Sequence, residues 1–459
     1  MSINNKFLLI IILIFFSCSG DDSSENEIAQ STPSITTDKK NITFDDTMVS
    51  KASPTESFLV QSSNIDSSSS ISVSTGFEIS VNGQDYANSL VIEKNQSKLV
   101  YVRFVPTEIQ SYNGNLTIVN SQTQDVNISL DGNGIQLRFN YKTYNKEKLA
   151  FGSGLNQSSE QSFDLHDDDS NIEKIMMYIR VECPNEVCDP WDRFANILVK
   201  DKNSGNWYEM ARHITPYGVG NDQLKRGLEV DVTDFKSLLF GNVELKIYAE
   251  TWVSEGWIIS LEFDFLDGDP DYKHYKITPV IQFNRNSLEG VPYGGKDGNT
   301  QIDEVKFDLK KTISIGSNIN SAHFRTIISG WGHATPVDSD NRPCAEWCFR
   351  THKIKLNDAE KFNHYMGPIN CINNPVRPQN GNWNNDRAGW CPGMLVPVRI
   401  DNFDSNISNS TINFEYYFEP WTNDFVGIQG YSNKNAFNAI STFIVLKSNV
   451  EISSAVVSN

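Results

Sequence analysis

Between residues 42 and 134, apolar and polar positions alternate along short runs: Ile71 and Val73; Phe77, Ile79 and Val81; Val100, Val102 and Phe104; Leu116 and Ile118; Val126, Ile128 and Leu130. A period of two marks strands with one buried face. Asn82-Gly83 and Asn113-Gly114 are dipeptides that close hairpins. The stretch therefore predicts a ladder of short strands, about the length of an immunoglobulin-like sandwich. Alternation continues after Phe139 through Ile175/Met177/Ile179, Ala195/Ile197/Val199, Leu228/Val230/Val232, Leu245/Ile247/Tyr248 and Leu261/Phe263/Phe265. No long segment carries a helical period, although residues 232–239 suit one short helical turn. The pattern breaks at Asp267-Gly268-Asp269-Pro270-Asp271 and resumes at 280–283, 324–328, 394–398 and 443–446. An all-β chain is expected, and 459 residues allow two or three domains with substantial cores.

The beginning of the chain reads differently. Lys6 precedes an unbroken apolar run over residues 7–16, followed by Ser17 and Cys18, the pattern of an export leader. The run is too short to span a bilayer comfortably. A cysteine directly after a small residue resembles a bacterial lipoprotein cleavage site, where Cys18 would be lipidated and become the mature N-terminus. Phe15 and Phe16 depart from that pattern, leaving a secreted or periplasmic protein as the alternative. Residues 19–36 are Ser, Asp, Glu and Asn with almost no apolar content, hence a solvated tether. Its acidic SGDDSSENE resembles surface-export signals of lipoproteins, so an outward-facing outer-membrane lipoprotein is expected, touching the membrane only through its lipid. A formal net charge of -18 argues against nucleic acid and anionic lipid surfaces as partners.

Candidate chemistry gathers around cysteines. Cys183 and Cys188 close a tiny loop and deliver Trp191-Asp192-Arg193 just beyond it; so short a disulfide adds little through chain entropy and serves better to aim Asp192. Cys344 and Cys348 enclose Glu346 and Trp347, and Cys371 and Cys391 tether a loop carrying Trp383, Asp386, Arg387 and Trp390. Glu250-Thr251-Trp252 repeats the carboxylate–indole pairing without cysteines. Such groups together can stack on a sugar face, move protons and hold an amide or hydroxyl oxygen. A surface turn with an ordinary ion pair is the plain alternative. The spacing of Cys344, Cys348 and His352 also fits zinc, but six cysteines in an exported chain pair more readily as disulfides. All nine tryptophans follow residue 190, in segments rich in charge, Gly, Asn and Pro, which places Trp191, Trp347 and Trp390 at the mouth of a cleft. A lone histidine is usually structural, so His333 stays outside the catalytic set.

These segments carry a resemblance. The runs CPNEVCDPWDRFANILVKDKNSGNWYEMARHITPY, RGLEVDVTDFKSLL, ELKIYAETW, GVPYG, TIISGWGHATP, CAEWCFRTH and DRAGWCPGMLVPVRID resemble the bacterial peptide-N-glycosidase F family, from about Phe139 to Asn459 and including every cysteine after Cys18. The resemblance implies two adjacent eight-stranded antiparallel jelly-roll β-sandwiches, preceded here by the Ig-like β-sandwich outside the match. The division becomes leader 1–17, lipidated tether 18–36, Ig-like domain 37–137, and jelly rolls 138–273 and 274–459. It further implies an amidase hydrolysing the asparagine–N-acetylglucosamine bond of N-linked glycoproteins and glycopeptides, with no metal or organic cofactor; a monomer is expected. Asp192 becomes the primary catalytic carboxylate, Glu346 and Glu250 its supports. Arg193, Trp252, Trp331, Gly332 and Arg387 take contact roles toward the core chitobiose and within the site. Pro190 and Glu255-Gly256-Trp257 depart from the family pattern without touching the three carboxylates. An endoglycosidase cutting the chitobiose linkage with two of the same carboxylates, or a non-catalytic glycan-binding surface protein, are the alternatives.

Overall fold

The computed structural model describes residues 32–283, 309–418 and 436–459, with the backbone of the short strands Val291–Pro292, Lys296–Asp297 and Thr300–Gln301. The leader, Cys18 and most of the tether lie outside the described residues. The chain divides into two compact units, Met1–Ile135 and Gln136–Asn459.

In the first unit, one sheet orders Ser34–Thr37, Glu56–Ser63, Ser97–Phe104 and Phe77–Ser80. The other orders Asn41–Thr43, Val126–Ile135, Ser111–Val119, Ser69–Val73 and Ser89–Ile92. The alternating residues form the core between them, with Phe77, Ile79, Val100, Phe104, Leu116 and Leu130 at most 2% exposed. Two details differ from expectation. Ser34–Thr37 already pairs with Glu56–Ser63, so sheet begins inside the stretch assigned to the tether. Asn113-Gly114 is not a turn but lies within Ser111–Val119, Gly114 opposite Leu130. Glycine is required there because a Cβ would sit 2.7 Å from the Ser74 Cβ, a close approach that mimics a turn signal in sequence.

The second unit contains two sandwiches. In the first, Trp257–Asp267 and Ile172–Glu182 are central, flanked by Leu228–Asp231 on one side and by Arg138–Lys142 and Glu147–Leu149, two pieces of one edge, on the other. The facing sheet orders Ser158–Asp164, Asn242–Ala249, Phe194–Lys200 and Trp207–Ile214. The second sandwich sets His274–Ile281, Phe437–Ser448, Ser321–Trp331 and Val398–Asn402 against five strands, Ala359–Met366, Arg350–Leu356, Thr411–Tyr417, Lys310–Ser314 and Val456–Ser458, which takes it past eight. Residues 232–239 do make one helical turn, over Thr233–Leu238. The run 394–398 becomes strand only at Val398. Pro397 has no N–H for a ladder, and Met394 instead accepts a hydrogen bond from the Ile214 N–H of the first sandwich, 2.9 Å.

Ser321–Trp331 and Phe437–Ser448 are buried on both faces. Even-numbered Ala322, Phe324 and Ile328 enter the core of the second sandwich. Odd-numbered residues meet the first: Arg325 donates to Met210 O at 3.1 Å, Ile327 packs with Ile214, and Ser329 accepts from Arg212 at 3.0 Å. Arg212, fully buried, also pairs with Glu209 at 2.7 Å and donates to Ala439 O at 2.7 Å, so its charge is satisfied from both sandwiches. The three disulfides are Cys183–Cys188, Cys344–Cys348 and Cys371–Cys391, with Cα separations of 4.6, 4.7 and 5.4 Å. Zinc at Cys344, Cys348 and His352 is thereby excluded as these residues stand: the cysteines are spent on each other, and His352 is buried against Phe418.

Candidate active site

Three strand ends of the first sandwich and one of the second converge. The strand Phe194–Lys200 begins, and Trp207–Ile214 and Asn242–Ala249 finish, at the end where Ser321–Trp331 runs out. Asp192 lies in the lead-in to the first of these. That lead-in is clamped: Thr215 Oγ1 accepts the Arg193 N–H at 2.8 Å and donates to Trp191 O at 3.2 Å, while Phe194 O accepts the Glu250 N–H at 2.9 Å. Glu250, half-buried, thus leaves the neighbouring strand beside Arg193.

Glu346 arrives from the second sandwich. Gly330 permits this, because a Cβ there would lie 2.2 Å from Ala345 O. The Glu346 N–H donates to Gly332 O at 3.1 Å, and the Ala388 N–H donates to Glu346 O at 2.7 Å. Between the carboxylates sits Arg387, fully buried. Its Nη2 donates to Asp192 Oδ2 at 3.2 Å, to Tyr217 Oη at 2.9 Å and to Asn382 Oδ1 at 2.9 Å; its Nη1 donates to the carbonyls of Asn382 and Asn385 at 2.9 and 2.7 Å. Its Nε is 3.9 Å from Glu346 Oε1, and its guanidinium lies over the Trp347 ring at 4.4 Å.

Burial pushes the Asp192 carboxyl up to about 7, and the neighbouring Glu346 charge adds to the rise against the opposing pull of Arg387 and Tyr217. Burial and the Asp192 charge likewise hold the Tyr217 phenol above its ordinary value. A carboxyl poised near neutrality, 12% exposed, can both take and return a proton.

Several assigned roles change with burial. Trp191 and Trp252 are 56% and 52% exposed; Trp191 directly precedes Asp192, and Trp252 follows Thr251, which hydrogen-bonds Asp189. Trp390 is fully buried: it stacks on half-buried Trp331 at 4.8 Å and donates to Gly330 O, so it supports the floor and cannot touch a sugar. Arg387 is equally inaccessible and acts as counter-ion rather than contact. Arg193 turns to Asp189, 3.1 Å away, and Gly332 holds the Glu346 backbone. Trp347 donates its indole N–H to His333 Nε2 at 2.9 Å, and that nitrogen stands 3.4 Å from Glu346 Oε2, which brings the histidine left aside in the sequence into the site.

Asp189 was missed as well, although it sits inside the same motif. Fully buried, it accepts from the Trp191 N–H, Arg193 Nε and Thr251 Oγ1 at 3.0, 3.1 and 2.8 Å, tying the Asp192 lead-in to the Glu250–Trp252 loop. Asp189→Asn is expected to lower kcat/KM of the folded protein by about 10²-fold through misplacement of Asp192. Unchanged turnover per folded molecule with reduced stability alone would leave Asp189 a structural residue only. Tyr217 and Asn382 gave no comparable signal in the sequence.

Two joined sandwiches with an Asp192–Arg387–Glu346 cluster buried at their junction make an all-β protein with a polar candidate active site, and the comparisons give its family. Residues 192–265 match the family model described as Peptide-N-glycosidase F, N terminal, and residues 299–440 the one described as Peptide-N-glycosidase F, C terminal. The peptide-N(4)-(N-acetyl-beta-D-glucosaminyl)asparagine amidase F of Elizabethkingia miricola is 51% identical over 321 residues, 70% of this chain and 87% of that one. The solved structure of PNGase F from Flavobacterium meningosepticum, titled a glycosylasparaginase, is 50% identical with a TM-score of 0.65, covering 70% of this chain and 100% of that one. PNGF-II, 12% identical with a TM-score of 0.54 over 87% of this chain and 80% of that one, shares the fold. The chain belongs to the peptide-N-glycosidase F family.

Proposed function

We propose that this chain hydrolyses the amide between asparagine and the first N-acetylglucosamine of N-linked glycoproteins and glycopeptides. The observation that carries this is the buried Asp192–Arg387–Glu346 cluster, in a family whose 51% identical member bears that amidase name. Ionised Asp192 takes a proton from water as the water oxygen adds to the asparagine carboxamide carbon. The C–N bond then breaks, and the same proton passes to the departing nitrogen. The products are a peptide with aspartate in place of asparagine and a glycosylamine, which later loses ammonia. Trp191 and Trp252, exposed indoles on the two loops tied together by Asp189, offer apolar faces to the core chitobiose. All these residues lie on one chain, which supports action as a monomer. Mass spectrometry of a defined glycopeptide digested in heavy-oxygen water tests the reaction. An amidase places the heavy oxygen in the new aspartate, whereas label in the released sugar with asparagine still bearing one sugar would establish an endoglycosidase.

We further propose that the chain is exported and held at an outer membrane through a lipid on Cys18, facing outward. The leader pattern, the small residue before Cys18 and the acidic tether support this. Cys18→Ala is expected to move the protein from the membrane fraction to the soluble one; unchanged fractionation would dismiss the anchor.

A further inference from the structure

The strand Ser321–Trp331 presents its odd-numbered residues toward the first sandwich along its whole length. Trp331 belongs to the active site, but Ser321, His323 and Arg325 line a cavity of about 970 Å³ at the opposite end. Ile172–Glu182 makes the same journey in the other sandwich, from Lys174 at the cavity to Glu182 beside the Cys183–Cys188 loop. At ~3.3 Å per residue the two sites lie roughly 20 to 30 Å apart. Nothing in the proposed hydrolysis uses this second cavity.

Its inner wall is charged but compensated. Asp234 pairs with His323 at 3.1 Å, Arg325 at 3.4 Å and Lys447 at 3.9 Å. Asp231 pairs with Lys174 at 3.3 Å, and Asp271 with Lys447 at 3.2 Å. Burial works against the Asp234 charge, yet the hydrogen bond with His323 and the neighbouring Arg325 and Lys447 hold its carboxyl down to about 2. Arg325, 4% exposed, has an Nε that makes no hydrogen bond. Around this polar floor stand apolar surfaces: Val398, Ile400 at 45% exposure, and the half-buried ring of Tyr272.

Donors and acceptors fixed in ion pairs next to aromatic and aliphatic walls match a molecule with hydroxyl edges and C–H faces. Exposed Glu173, Glu229 and Asp269 at the rim oppose an anionic ligand. A bare cation fits less well. Among the described residues, the one group of three metal-ligating atoms within 4.8 Å is Cys371, Asp386 and Cys391, outside this cavity and with both cysteines already in a disulfide. We propose that this cavity is a second, non-catalytic carbohydrate site that takes a neutral oligosaccharide. The choice of an N-glycan as ligand rests on the proposed amidase reading.

Calorimetric titration of the full chain with an intact neutral N-glycan is expected to show two binding events. Tyr272→Ala should weaken one of them about tenfold, the scale of one lost stacking contact, and Ser321→Trp, which pushes an indole into the cavity from its wall, should weaken it at least as much. Hydrolysis of a glycopeptide bearing one glycan should be unchanged in both, while KM on a glycoprotein bearing several should rise as the second grip is lost. A single binding event in the parent protein overturns the site, as does a second event that survives both substitutions. So does occupation of the cavity by a basic peptide or a divalent cation that no glycan displaces. Absence of glycopeptide hydrolysis in the parent would instead strike the amidase reading and leave the two-event titration to be judged by itself.

Discussion

Asp192→Asn is expected to fold, to bind the core chitobiose, and to lose ~10²- to 10⁴-fold in turnover, the range for a group that moves a proton in the rate-limiting step. Its stability should move the other way. The folded carboxyl keeps its proton up to about pH 7, whereas the unfolded chain releases it near the ordinary aspartate value of 3.8. Between these two pH values the native state binds more protons than the unfolded one, so stability falls as pH rises through that window and is flat outside it. Each unit of difference is worth about 1.4 kcal/mol, a sum of a few kcal/mol held against the fold for the sake of a reactive group. The asparagine variant has no such slope. Its melting temperature relative to the parent is expected to climb from pH 4 to pH 7 and then level off, while the parent's kcat/KM rises with an inflection near pH 7. Near-parental turnover in the variant would remove Asp192 from the mechanism; a variant less stable than its parent at pH 8 would show that ionised Asp192 is not disfavoured by its surroundings.

Arg387→Met is expected to cost about 3–5 kcal/mol in denaturant unfolding, the penalty for breaking a buried ion pair by deleting one partner. Methionine fills much of the volume but leaves the carbonyls of Asn382 and Asn385, the Tyr217 hydroxyl and two carboxylates without their shared donor. The Asp192 carboxyl also loses the cation that restrains it, so any residual activity should need a higher pH. Arg387→Lys should rescue part of the stability and little of the activity, since one ammonium cannot reach the five acceptors that the guanidinium fork serves. Parental stability in Arg387→Met would mean that Asp192 and Glu346 are neutralised by something other than this residue.

The all-β architecture was legible because one-sided burial writes itself as alternation, and residues such as Val100, Val102 and Phe104 are inward as read. The site residues were legible as types but not as positions. Asp192 and Arg387 are 195 residues apart, and only the meeting of two sandwiches makes them partners. Arg387 and Trp390 sit in a loop of Asn and Gly that looks solvent-exposed, yet the Cys371–Cys391 tether and Asp386, which accepts the Ile369 and Cys371 N–H groups, fold that loop inward over them. His323 and Arg325, spaced two apart among apolar neighbours, have the pattern of a strand with one wet face, yet both are buried. Burial of both faces is a tertiary fact that no local pattern carries. Asp189 differs from Asp192 only in its burial and in its bond to Thr251 on a distant loop, and neither is written in the local sequence.

The sheet that contains Ser321–Trp331 is a party wall between two hydrophobic cores, one on each side. Neither neighbour can be built without it. A nascent first sandwich has nowhere to put Ile277, Phe443 and Val445, which complete its own interior from the far half of the polypeptide. Carboxylates that would repel one another meet only after both cores close, so a half-finished molecule carries no chemistry. Catalysis then doubles as a report on assembly, because the Asp192–Arg387–Glu346 cluster exists only when the two sandwiches are joined.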